Sequence, residues 1–171
     1  MRYILIFSLL AILVVFAGCT DRSKRLTDFE QKSSEIELGR YLIKIMGCND
    51  CHTPGYMRNS NIPESDWLIG DTLGYHNSLG TTYATNLRLL FDSISEKDWK
   101  VLARKMRDDS PMALVRLPSM TDEHLRAIYL FVTELGPKGT PAMSPLPAGV
   151  MPKTSYVEYP DPHRGSKVNV K

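Results

Sequence analysis

Cys48-Asn49-Asp50-Cys51-His52 places two thiols and an imidazole within a single short stretch of chain. On one helical turn the thiols of Cys48 and Cys51 face the same way, so each can add to one vinyl group of a haem as a thioether. His52 follows at once, which brings its imidazole under the ring to ligate the iron from the proximal side. Its second nitrogen is expected to donate to a carbonyl that fixes the ring's orientation; the sequence does not name that carbonyl. C-x-x-C-H is the attachment spacing of a c-type haem, and the expected cofactor is one covalent haem c.

Other chemistries use the same residues. Zinc would need further ligands from His76, His124 or His163, none of which stands in a paired spacing. A dithiol redox pair would need a strand–helix–strand setting, which the flanking sequence lacks. An exported pair of cysteines would ordinarily be a disulfide, but His52 directly after Cys51 favours haem.

The N-terminus supports export. Arg2 gives a brief positive region, and Tyr3 to Phe16 is apolar apart from Ser8. A run of about 14 residues is short for a helix across a bilayer core of roughly 30 Å and matches the apolar region of a secretory signal peptide. Phe16-Ala17-Gly18-Cys19 resembles the bacterial lipobox, with Phe16 where Leu is usual, so Cys19 is the expected lipidation site. The alternative is an uncleaved N-terminal membrane helix. On either reading the protein is held at the periplasmic side of a membrane. The net charge of +2 is too small to argue for nucleic acid, and loss of residues 1–18 would remove only Arg2.

The elements that must position the motif follow from periodicity. Residues 19–33 read as a polar tether, reaching at most about 50 Å and typically nearer 20 Å. A helix is expected from Ser33 or Ser34 to Met46, with Leu38, Tyr41, Leu42 and Ile45 on its apolar face and Gly47 as its stop. A second starts at Ser95, with Asp98 placed to complete the cap and Trp99, Leu102 and Met106 along one side. A third runs from the cap Thr121 to Leu135, before Gly136-Pro137, with Leu125, Ile128, Tyr129, Val132 and Leu135 inward. Thr53 to Ile94 shows little periodicity and is broken by Gly55, Pro63, Gly70, Gly74 and Gly80. No alternating run long enough for a sheet is evident, so an all-α domain is expected over 34–136. From Pro137 to Lys171 the chain holds seven of its eleven prolines. This extension should be extended, wrapping the domain or reaching for a partner.

Gly39-Arg40-Tyr41-Leu42 ahead of Gly47-Cys48-Asn49-Asp50-Cys51-His52-Thr53-Pro54-Gly55 resembles the start of a class I cytochrome c. More narrowly, the chain is similar to bacterial monohaem cytochromes related to the cytochrome subunits of membrane-bound alcohol dehydrogenases. Tyr83-Ala84-Thr85-Asn86-Leu87 matches their "NLT" segment, with Arg88 in place of Thr, and Leu125-Arg126-Ala127-Ile128-Tyr129 matches their C-terminal helix. The resemblance spans roughly Glu35 to Pro137. It implies the class I cytochrome c fold, with N- and C-terminal helices crossing at a small residue and long loops covering the haem. The crossing here would be Gly39 against Tyr129 or Leu130. It also implies an axial Met in the loop before the last helix, at Met112 in Ser110-Pro111-Met112-Ala113, where Ala113 replaces the usual Pro. Met120, Met106, His76 or an open position remain as alternatives. Asn86 and Tyr83 would bond haem propionates or satisfy the loop backbone.

With His52 and Met112 both bound, iron passes single electrons and does not readily take substrate. The expectation is a lipid-anchored electron carrier, not an enzyme, working between redox donors and acceptors. The alternatives are a haem subunit of a membrane-associated dehydrogenase complex and an open-site haem peroxidase or sensor.

Overall fold

The structure is a computed structural model that describes residues 2–106 and 111–159; of residues 2–23, 113 and 114 only the backbone is described. His163 and Ser110 lie outside the described residues. The chain divides into two compact units, one ending at Glu35 and one beginning at Ile36.

The first unit belongs to a long helix, α1, Arg2–Ile45. The helix was expected to start at Ser33 or Ser34, but it already includes the tether. Residues 20–33 contain neither Gly nor Pro and are rich in Lys, Arg, Glu and Gln, which favour helix. Ser34 does not cap; its hydroxyl donates back to the Gln31 carbonyl at 2.8 Å. Among the described residues no helix is long and apolar enough to cross a membrane. Cys19 lies on α1, and its side chain is outside the description.

In the second unit α1 ends at Ile45, and Gly47 turns the chain at φ +68 into the short helix α2, Cys48–His52. α3, Leu87–Ser93, is capped by Asn86; α4, Glu96–Arg104, by Ser95; and α5, Asp122–Leu135, by Thr121. The Ser95 hydroxyl accepts from the Asp98 N–H and donates to the Asp98 carboxylate at 2.6 Å. α1 crosses α5 at Gly39, where a Cβ would overlap the Ala127 carbonyl oxygen and crowd the Phe131 Cβ. Those are the partners, in place of Tyr129 or Leu130. Tyr129 is turned the other way, stacking on Phe91 at 5.6 Å and donating to the Ile94 carbonyl.

That crossing also rotates the buried face of α1. Leu42 and Ile43 are buried, while Tyr41 and Ile45 are more than half exposed. On α4 the buried residues are Trp99 and Ala103, and Leu102 faces solvent. The Trp99 indole donates to the Leu125 carbonyl at 2.9 Å, tying α4 to α5.

The expected all-α class I cytochrome c fold is corrected by a mixed four-stranded sheet, order β3-β2-β1-β4. β1, Gly74–Asn77, and β2, Gly80–Tyr83, form an antiparallel hairpin inside the segment expected to be irregular. The outer strands come from the Pro-rich extension. β3, Leu146–Pro147, runs antiparallel to β2, and β4, Tyr156–Glu158, runs parallel to β1. Strands of two to four residues are too short to leave an alternating pattern in the sequence. Residues 146–158 of the extension pair along both edges of the hairpin.

Candidate haem site

Side chains that follow the C-x-x-C-H turn lock it in place. Asn49 is buried and its carbonyl oxygen accepts from the Thr53 hydroxyl at 2.7 Å. Thr53 in turn accepts from the Leu68 N–H at 2.8 Å, and the His52 carbonyl accepts from the Gly70 N–H at 2.8 Å. Gly70 has φ +83, and a Cβ there would come within 3.0 Å of the Ala84 carbonyl and the Asn86 N–H. Only glycine lets these two stretches of backbone approach so closely.

The motif opens on a cavity of about 650 Å³. Cys48, Cys51 and His52 line one side, and Met106, Met112 and Val115 another. The hairpin contributes Tyr75, Asn77 and Gly80 to Tyr83, and the extension contributes Pro145, Leu146 and Tyr159. His52 is 4 % exposed. Its Nδ1 lies 2.7 Å from the Thr85 carbonyl oxygen, which can only accept, so Nδ1 carries the proton. Burial holds the imidazole below its ordinary pKa, with the Thr85 bond opposing. The neutral ring therefore presents its lone pair at Nε2.

Nε2 faces the Met112 sulfur at 3.4 Å. Of the candidate sixth ligands, Met112 is the one placed opposite His52. Met106 lines the same cavity, and Met120 is half-buried against the hydrophobic core. His76 is elsewhere, on β1, bonded to the Thr81 hydroxyl at 2.8 Å and edge-on to Tyr156. At 3.4 Å the Met112 sulfur is in contact with Nε2, so the Met112 loop would have to step back for an ion to sit between the two.

Cys48 and Cys51 are free thiols, the first buried and the second half-buried. Burial pushes the Cys48 thiol up to about 12. Tyr75 is raised above the ordinary phenol range by burial, with a hydrogen bond to Cys51 adding to it. Asn86 is spent on structure: its oxygen accepts from the Leu89 N–H, and its amide donates to the Lys138 and Thr140 carbonyls. Tyr83 is buried and its hydroxyl has no partner among the described residues, so of the two it is the one with a donor to offer.

These observations fit a covalent haem. The donor set is one neutral imidazole, one thioether and two thiols on a single turn. Apolar walls from Met46, Leu79, Val115 and Leu146 suit the macrocycle. Among the described residues no three His, Cys, Asp or Glu side chains converge as an alternative metal site. Thr85 and Tyr75 were missed from sequence. A backbone carbonyl leaves no side-chain signal, and Tyr75 reaches Cys51 only because the hairpin forms. No protein-family model, curated protein or solved structure matches the chain.

Proposed function

We propose that the protein is an exported, lipid-anchored c-type cytochrome that passes single electrons between redox proteins at the periplasmic side of a membrane. One observation carries this reading: His52 Nε2 and the Met112 sulfur face each other at 3.4 Å beside the two thiols of the C-x-x-C-H turn.

Bound there, haem would supply a one-electron Fe(III)/Fe(II) couple. Cys48 and Cys51 would hold it covalently. His52 would ligate from the proximal side, kept in one tautomer by Thr85, and such a bond to the second imidazole nitrogen raises ligand basicity. Met112 would take the distal position, and a thioether there raises the potential. With His52 and Met112 both serving as ligands, coordination would not need to change on reduction, and substrate would be kept from the metal. The geometry therefore favours electron transfer over a peroxidase or sensor.

Lipid on Cys19 would keep the protein at the membrane, and stable residence takes more than one acyl chain. Mass spectrometry of the mature N-terminus should find Cys19 acylated; an unmodified Cys19 there would end that part of the proposal. For the electron-carrier reading the test is the oxidised absorption spectrum. It should show the weak red-edge band of sulfur-ligated ferric haem. A haem protein lacking that band and binding cyanide readily would favour the catalytic alternative.

A further inference from the structure

The extension grips the hairpin from both edges. β3 pairs with β2 at Gly80↔Pro147 and Thr81↔Leu146, and β4 pairs with β1 at Gly74↔Tyr156 through His76↔Glu158. β2 is antiparallel to β1, so β3 and β4 run in the same direction on opposite sides of the hairpin. Residues 148–155 therefore cross the hairpin from one edge to the other. The crossing ends in the bond from the Gly74 N–H to the Ser155 carbonyl at 2.9 Å, and beyond β4 the Tyr159 N–H donates to the His76 carbonyl at 2.8 Å.

Along both edges the strap's ties are mostly backbone bonds, joined by Tyr156 standing edge-on to His76. No residue from Pro137 to Tyr159 is buried, and all three residues of β4 are exposed. Just before the strap, Lys138 pairs with Asp66 at the surface. The hairpin it holds is different: Gly74, Gly80, Thr81 and Tyr83 are buried. A lone hairpin of two four-residue strands is marginal at best in water. Segments with few buried apolar contacts and exposed backbone bonds open at a fraction of the global unfolding free energy. When the strap lifts, the hairpin loses both neighbours, and with them goes the wall of the cavity that carries Tyr75, Asn77 and Leu146.

We infer that the strap, residues 141–159, and the hairpin, residues 74–83, open as one unit and gate access to the cavity. With the strap down, Leu146 and Tyr159 cover part of the cavity and small molecules have less access to its interior. With the strap up, they reach it without unfolding of α1, α4 or α5. The consequence at the iron rests on the haem reading; the coupled opening does not.

Native-state hydrogen exchange on the full-length protein, read by mass spectrometry of its peptides, tests the coupling. Peptides from 74–83 and 141–159 should share one rate of opening and exchange well before those of α5. A hairpin that keeps α5-like protection while the strap exchanges would overturn the inference. Lys138→Ala removes only surface contacts, to Asp66 and the Ser65 carbonyl. It should speed exchange of both segments by the same factor, up to about fivefold, and leave α5 unchanged. Acceleration of the strap alone would contradict the coupling. Carbon monoxide uptake by the reduced protein should rise by that same factor in Lys138→Ala, and unchanged uptake would overturn the gating. Failure of the haem reading is separate: it would show as haem lost on a denaturing gel while the two segments still exchanged together.

Discussion

In the helical core, α1 and α5 bury Ile43, Leu125, Phe131 and Val132 almost completely, whereas the two outer strands of the sheet have no buried residue at all. The two regions are held by different forces. The helical core rests on close packing, with Gly39 letting two backbones touch. The outer strands rest on backbone hydrogen bonds between segments more than sixty residues apart in sequence. A packed core that includes Cys48 fixes the haem-motif turn in place, which suits His52. A bonded but exposed wall can yield, which suits an entrance.

The contrast predicts where substitution hurts most. Gly39→Val should have the largest effect, because its Cβ would overlap the Ala127 carbonyl and backbone cannot easily step aside. A loss of about 3 kcal/mol or more is expected in denaturant unfolding. Near-wild-type stability would mean that the crossing is looser than the geometry indicates. Next is the distal loop. Met112→Ala should abolish the red-edge band, lower the potential and admit small ligands, with a modest effect on folding. Met120→Ala should do the opposite: the band stays and stability falls by about 1–2 kcal/mol, below the range for fully buried Met because the side chain is half-buried. Reversed outcomes would reverse the assignment. Ser95→Ala should be the smallest of these, costing about 1 kcal/mol through the lost cap and leaving the spectrum unchanged.

Helix caps were legible because their signals are local. Ser95 with Asp98, Thr121 before an acidic turn and Gly136 after Leu135 each state a boundary within four residues. The face of α1 was less so. Tyr41 and Ile45 are apolar enough to fit an inward stripe, and only the crossing at Gly39 decides that Ile43 goes inside instead. The sheet was not legible at all. Its outer strands pair across gaps such as Gly74 to Tyr156, and a strand of two residues has no period to detect. In the site, C-x-x-C-H announced Cys48, Cys51 and His52 outright. Met112 was reached only through a family resemblance, since one Met in a loop looks like any other. Thr85 was invisible because it acts through its backbone.

The central claim is that Cys48 and Cys51 hold a haem, and the most direct measurement is haem content after denaturation. Full-length protein matured with its own export signal, run on a denaturing gel and extracted with acid–acetone, should keep haem on the polypeptide at one per chain. The double variant Cys48→Ala, Cys51→Ala should retain none. Haem that extracts freely from the wild-type chain, or a mature protein that carries none, would contradict the account.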